Sequence, residues 1–391
     1  MNMIKSIIDF NEKKGFICDM DGVIYHGNQI LPGVPEFIQW LHDEKKEYLF
    51  LTNNSGYTPR ELNQKLARMG LDVPEEHFYT SALATAAFLK EQAAGCSAFV
   101  IGEAGLLNAL YDVGITMNDV NPDYVVVGEG RSYSLDTLTK ATNLVLKGAK
   151  LIGANSDVSG PIENGIAPAC RALVAPIEMA TGTQAYFCGK PNPLMMRTGL
   201  NMLGCHSAEA VMVGDRMDTD VISGMESGMS TVLVLSGCST KDTLKTYAYL
   251  PTMVLNGVGD IASMAKAKEE EKAFCQEQND LATQAVLEAI HIVKTNGILE
   301  NKTLKFFRDR YNSKSFSVVN YLMRKYEVNV PLRTQGWIND KLVSVTIENG
   351  RCEHLKYMKA KGGQCSQRFF DCMNELIQKV TTEAVPELEV G

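Results

Sequence analysis

Short, continuously apolar runs alternate with amphipathic stretches along the first two-thirds of the chain. Residues 15–19 (GFICD) and 47–52 (EYLFLT) read as strands, and similar runs recur at 98–101, 124–127, 151–153, 210–213 and 231–235. Between them, residues 35–44 put Phe37, Ile38 and Leu41 on one side of a helix. Residues 59–69 form a second helix, capped by Thr58 and opened by Pro59. Apolar strands of this length, alternating with helices, predict an α/β fold whose parallel sheet is covered on both faces.

The pattern changes near Ala265. Residues 266–272 (KAKEEEK) are a solvated charge run, a linker or an exposed helix. Helices are expected at 280–295 and 315–326. Strands at 341–348 and 352–357 flank Asn349-Gly350, a strong hairpin signal. In the last helix Phe369, Phe370, Met373, Leu376, Ile377 and Val380 follow helical spacing. This last part reads as an appended α+β module.

Composition adds bounds. The chain has 391 residues, enough for two or three domains, and its 45% hydrophobic share excludes wholesale disorder. Net charge is −8, unevenly spread: residues 1–300 carry 23 Lys+Arg against 36 Asp+Glu, whereas 301–391 carry 15 against 10. A uniformly basic nucleic-acid binder is excluded. No run reaches the roughly 18–20 apolar residues of a membrane helix, and the first residues lack the features of a secretory signal. The 10 cysteines are scattered without CxxC spacing. They read as reduced thiols of a cytoplasmic protein, and no structural zinc site is expected.

Residues of catalytic type fall where strands end. Asp19 and Asp21, in DMDGV, follow the first strand. Ligands of open α/β sheets sit beyond the carboxyl ends of strands, so both carboxylates share that edge. Two close acids imply a cation between them or a proton on one. Asp19 then suits a nucleophile beside a metal, and Asp21 an acid that protonates a leaving oxygen. A tight turn or a calcium loop fits the same residues. Leu51-Thr52-Asn53-Asn54-Ser55-Gly56 ends another strand with a hydroxyl and successive N–H groups, either an anion cradle or an ordinary Asn-rich turn. In Gly189-Lys190-Pro191-Asn192-Pro193, Lys190 stands at a helix start, where an ammonium meets a phosphate oxygen or restrains an ionised Asp. A solvated Lys is the plain alternative. Gly214-Asp215-Arg216-Met217-Asp218-Thr219-Asp220 adds Asp215 and Asp220 beyond a further strand, oxygen ligands suited to Mg2+. Together these four clusters point to a phosphate and Mg2+ site.

DMDGV, LTNNS, GKPNP and GDRMDTD, in this order, resemble the four motifs of the haloacid dehalogenase (HAD) superfamily over residues 14–265. The wording is nearest to its NagD-like, para-nitrophenylphosphatase-like branch. The resemblance implies a Rossmann-like HAD core with a parallel sheet and a Mg2+-dependent phosphatase that works through an aspartyl-phosphate. Asp19 would be the nucleophile and a metal ligand. Asp21 would be the general acid/base and would bind the metal through its backbone carbonyl. Thr52 and Asn53, with Asn54 beside them, would hold the phosphate. Lys190 would neutralise Asp19 and the phosphate. Asp215 would ligate Mg2+ directly, with Asp220 near the metal through water or Lys190.

The interval between Asp19 and Thr52 has room for a flap and one helix. The interval from Thr52 to Lys190 holds a βα unit and a further stretch long enough for an inserted α/β domain. This divides the chain into a discontinuous core at 1–80 and 184–267, a cap at 81–183 of the superfamily's second cap class, and a C-terminal module at 268–391. Such caps exclude water and choose the substrate. Asp21 favours phosphate esters over dehalogenation within the superfamily. The expected partner is a small phosphorylated metabolite, of nucleoside monophosphate or sugar phosphate type; pyridoxal phosphate and phosphoglycolate are alternatives. A binding or regulatory protein with an inactive HAD core is the alternative of another class. In Gly153-Ala154-Asn155-Ser156-Asp157, Asn155 and Asp157 are candidates for contact with substrate, or members of an Asx turn.

Other features read as ordinary structure. Gly128-Glu129-Gly130 reads as a loop, His26 as a solvated side chain and Cys18 as core. Residues 301–363 carry 13 Lys+Arg against 5 Asp+Glu with aromatics interleaved. A solvated basic surface, or docking onto the acidic part within one chain or across a homo-oligomer, is favoured there over an anionic ligand. Neither a membrane nor a nucleic-acid partner is expected.

Overall fold

The computed structural model describes residues 8–131, 133–162 and 165–273, together with the backbone of the strands at 333–338, 341–348 and 351–355. Clustering of contacts divides the chain into two units, Met1–Ala265 and Lys266–Gly391.

The first unit starts with β1 (Gly15–Cys18), all four residues of which are buried, as a central parallel strand requires. A two-strand flap follows, β2 (Tyr25–His26) and β3 (Gln29–Ile30), and then α1 (Val34–Asp43). After β4 (Glu47–Thr52), α2 (Pro59–Arg68) opens with Thr58 and Glu61 in a capping box. The very short β5 (Phe78–Thr80) leads directly into α3 (Ser81–Gln92). Next come β6 (Ser97–Ile101), α4 (Ala104–Asp112), β7 (Thr116–Met117), β8 (Tyr124–Val127), α5 (Leu135–Leu146) and β9 (Lys150–Gly153). A hairpin of β10 (Ser159–Ile162) and β11 (Gly165–Pro168) precedes α6 (Cys170–Thr181) and β12 (Tyr186–Phe187). The chain returns through α7 (Pro193–Leu203) and β13 (Ala210–Gly214) to a π-helical turn, Met217–Val221. This turn runs into α8 (Ile222–Glu226), β14 (Ser230–Val234) and β15 (Met253–Leu255). Residues 259–273 are helical, so the 266–272 charge run is an exposed helix.

Two parallel sheets result. The larger has the order β15-β14-β13-β1-β4-β5 and the smaller β12-β9-β8-β6-β7. From β1 the chain adds strands on one side and later returns to add β13 on the other. The crevice between β1 and β13 is therefore the switch point at which such sheets bind ligands. One face of the large sheet packs Phe16, Phe37, Trp40 and Phe50, with Phe16 edge-on to Trp40 at 5.4 Å between ring centres. The other face shares a single apolar cluster with the small sheet, joining Ile17, Leu49 and Leu51 to Ala98, Val126 and Ile152. The small sheet closes with β12 at Tyr186–Phe187, a little beyond the return point expected at 183.

The second unit contains an antiparallel sheet of β16 (Arg333–Ile338), β17 (Lys341–Glu348) and β18 (Arg351–Leu355), in that order. β17 and β18 pair where the hairpin was expected, with a register shift between Thr346 and Ile347. β16 was not read from the sequence. The helices expected at 280–295, 315–326 and 369–380 lie outside the described residues.

Candidate active site

Four segments deliver the site, those after β1, β4 and β13 and the one before α7. Asp19 follows β1 directly, and its N–H donates to Val213 O across the switch point at 2.8 Å. Lys190 precedes α7. Its side chain is only 2% exposed, and its ammonium donates to Asp19 Oδ1 at 2.5 Å, Asp220 Oδ1 at 2.7 Å and Leu51 O at 3.2 Å. All three N–H bonds of the ammonium are used. Burial alone would lower its pKa, but the flanking carboxylates of Asp19 and Asp220 outweigh burial and hold it above the ordinary lysine range.

Asp19, Asp215 and Asp220 each offer an oxygen within 4.8 Å of the others, and all three are buried. Each carboxyl stands at about 6, raised first by burial and then by a neighbouring acid (Asp215 on Asp19, Asp220 on Asp215, Asp19 on Asp220), with Lys190 opposing. Asp215 Oδ2 accepts the Cys238 N–H at 2.6 Å, while its buried Oδ1 has no hydrogen-bond partner. An orphaned carboxylate oxygen among converging acids suits a hard cation such as Mg2+. Asp220 Oδ2 accepts the Arg216 N–H at 3.1 Å, so hydrogen bonds already engage both its oxygens. Gly237 is needed beside Asp215: a Cβ there would stand 2.1 Å from Oδ2.

Asp21 lies at the mouth of the site, its side chain 46% exposed, with His26 Nδ1 at 3.7 Å. Burial raises its pKa, opposed by His26 and by Lys65 of α2. Its carboxylate is not in the buried acidic cluster, so any contact with a metal falls to its backbone. His26 is solvent-exposed as expected, yet it has this acidic neighbour. Cys18 is buried in the core.

Thr52 Oγ1 accepts the Asn54 N–H at 3.1 Å, which leaves its own hydrogen to donate. The Asn53 side chain is committed. Its Oδ1 accepts the Lys190 N–H at 2.7 Å, and its Nδ2 donates to Lys190 O at 3.1 Å and Asp157 Oδ1 at 3.2 Å. Any phosphate contact from this residue therefore falls to its backbone N–H, as in the anion cradle of successive N–H groups expected for this segment. Asn54 Oδ1 accepts the Gly56 N–H at 2.9 Å and shapes its own turn.

Asn155 takes the second of its two expected forms. It is 0% exposed, and its Nδ2 donates to Asn53 O and to Glu129 Oε1, both at 2.6 Å. Its Oδ1 accepts the Asp157 N–H at 3.1 Å, so the Asx turn is the form it takes, and no polar atom is left for a substrate. Asp157 reaches the site. Burial raises its pKa against the opposing charges of Arg216 and Lys190. Sequence reasoning missed Ser55, Glu129, Lys65 and Arg216. Glu129 carries a signal in retrospect, an acid between two glycines at the end of an apolar strand, the position that singled out Asp19 and Asp215.

A parallel α/β sheet with an aspartate after β1, a lysine bridging it to a second acid, and a third acid after β13 defines a HAD-type hydrolase. The chain belongs to the haloacid dehalogenase-like hydrolase family, which matches residues 16–116, with a HAD-hydrolase-like match at 187–261. It is 49% identical over 247 residues to the dihydroxyacetone phosphatase of Corynebacterium glutamicum (strain R), an overlap of 63% of this chain and 90% of that protein. It is 43% identical to the ribonucleotide monophosphatase NagD of Escherichia coli (strain K12), over 63% of this chain and 98% of that one. The solved 4-nitrophenylphosphatase of Thermotoga maritima aligns at 32% identity with a TM-score of 0.64, over 66% of this chain and all (100%) of that one. The chain is a phosphatase of this family. No helix among the described residues is long and apolar enough to cross a membrane.

Proposed function

We propose that this phosphatase hydrolyses small phosphate monoesters, of sugar phosphate or nucleoside monophosphate type, through a phosphoryl group carried on Asp19. The observation that carries this reading is the Lys190 bridge between Asp19 and Asp220 beside the orphaned oxygen of Asp215. Lys190 holds Asp19 Oδ1, so Oδ2 is the free oxygen to attack phosphorus. As the P–O bond to the leaving group breaks, Asp21 donates its proton to the departing oxygen. Asp21 then takes a proton from the water that attacks phosphorus, which releases phosphate and restores the Asp19 carboxylate. Thr52 donates its hydroxyl hydrogen to a phosphate oxygen, and Lys190 offsets charge on Asp19.

Asp19, Asp215 and the Asp21 carbonyl would hold Mg2+, with Asp220 bordering it through Lys190. The ion would screen Asp19 from an anionic substrate and stabilise charge on the transferring phosphoryl group. The inserted segment, taken as 81–183, is proposed as the substrate-selecting cap over a core of 1–80 and 184–267. That relatives include a dihydroxyacetone phosphatase and a ribonucleotide monophosphatase supports a small polar leaving group. Cys18, Cys96, Cys170 and Cys188 are free and buried, which fits a reducing cytoplasm. A screen of phosphate esters with and without Mg2+ tests the reading. Turnover of small monoesters that needs Mg2+ supports it, and no turnover of any ester overturns it.

A further inference from the structure

The loop that follows β4 is clasped by the inserted segment at a point outside the acidic cluster. Glu129 Oε2 accepts both the N–H of Ser55, at 3.1 Å, and its hydroxyl, and the Glu129 N–H donates back to Ser55 Oγ at 3.0 Å. Glu129 Oε1 accepts from Asn155 Nδ2 at 2.6 Å, and the same amide donates to Asn53 O at 2.6 Å. Ser55 itself is buried. Backbones meet there with no room for side chains: a Cβ on Gly128 would stand 2.5 Å from Ser55 Oγ, and one on Gly105 would stand 2.7 Å from Ser55 O. The Gly105 N–H donates to Gly56 O at 3.0 Å.

The clasp leads to the reacting group through few bonds. Glu129 holds Asn155, Asn155 holds the Asn53 carbonyl, and the Asn53 side chain brackets the Lys190 backbone on both its N–H and its carbonyl. The Lys190 ammonium fixes Asp19. A carboxylate that accepts three strong donors in a part-buried setting is held rigidly, and it passes that rigidity to the loop after Thr52 and, through Asn53, to Lys190 in the separate segment before α7.

We infer that Glu129 is a positioning residue for phosphoryl transfer: it sets the phosphate-binding loop and Lys190 from the inserted segment, without touching substrate. The inference rests on the phosphatase reading above. Its chemistry asks for a charged acceptor. In Glu129→Gln the amide can face Ser55 or Asn155 with its oxygen, but its NH2 then meets a donor on the other side.

The test is steady-state hydrolysis of p-nitrophenyl phosphate with Mg2+ by the full chain, measured first on the wild type. Glu129→Ala is expected to lower kcat by about 10- to 100-fold, the usual effect of small misplacements around a reacting centre, with KM changed by less than about threefold. Glu129→Gln falls between Ala and wild type. The Mg2+ concentration for half-maximal activity stays unchanged, because the buried acids are untouched. Ser55→Ala keeps its backbone N–H bond and lowers kcat less, and the double variant is no worse than Glu129→Ala alone. Should Glu129→Ala not fold, Ser55→Ala decides. A folded Glu129→Ala, or in its place Ser55→Ala, with wild-type kcat overturns the inference while wild-type turnover leaves the phosphatase reading standing. A wild type that turns over neither this ester nor any other small phosphate ester removes that reading instead.

Discussion

Lys190 and Asp19 stand 171 positions apart in the chain, yet the ammonium of one lies 2.5 Å from Oδ1 of the other, in a buried contact. The pair is three-centred, because the same ammonium reaches Asp220 at 2.7 Å. A cation placed between two buried acids serves the fold and the chemistry together.

Lys190→Met removes that cation and leaves two buried carboxylates facing each other. Breaking a buried pair on one side costs about 3–5 kcal/mol. The penalty is expected in chemical denaturation at pH 7.5 and shrinks at pH 5, where Asp19 and Asp220 take up protons. Turnover is expected to fall by at least about 100-fold, the scale seen when a preorganised charge-stabilising donor is lost. A variant that is destabilised equally at both pH values would show that the carboxylates are not the source.

Asp215 gives a prediction of opposite sign. Its folded pKa is raised from 3.8 to about 6, so the unfolded chain ionises first as pH rises. In metal-free protein this residue therefore withdraws stability between about pH 4 and 6, and the loss persists above that window. Asp215→Asn is expected to melt higher than wild type in EDTA at pH 7. It should also lose most of the upward shift that Mg2+ gives the wild type. Differential scanning fluorimetry with and without Mg2+ reads both effects, and a wild-type Mg2+ response in the variant would remove Asp215 from the metal site.

Gly237→Ala places a methyl group 2.1 Å from Asp215 Oδ2, and Asp215 must turn to avoid it. The concentration of Mg2+ for half-maximal activity is expected to rise by about 10- to 100-fold, as for other changes just outside a metal's ligands. An unchanged metal requirement would show that Asp215 has a second workable position.

Asn155→Ala separates support from recognition. Its amide joins Glu129 to the Asn53 carbonyl and faces no open space, so turnover is expected to fall in the same ratio for sugar phosphates and for nucleoside monophosphates. A changed preference between the two would restore a direct substrate contact.

The parallel sheet and the four polar clusters were legible because each follows a rule of strand ends. An apolar run stops, and a polar residue appears at the edge where ligands bind. β5 and β15 were not read, because three residues such as Phe78–Thr80 carry no periodicity of their own and gain strand form by pairing with β4 and β14. For Asn155 the sequence leaves substrate contact and an Asx turn both open, because its neighbourhood is the same whether the amide faces a substrate or a carbonyl. Glu129 was passed over as a loop because its partner Ser55 is 74 positions away, and only the approach of Gly128 and Gly105 brings the two together.

The central claim is that Asp19 Oδ2 carries the phosphoryl group. Mg2+-dependent phosphate release by Asp19→Asn tests it most directly, measured beside the wild type on the best small monoester found. The amide keeps the side chain's shape but lacks the nucleophilic carboxylate. Release is expected to fall to the background of the metal alone, in a protein that still melts cooperatively. Wild-type turnover in that folded variant would contradict the account.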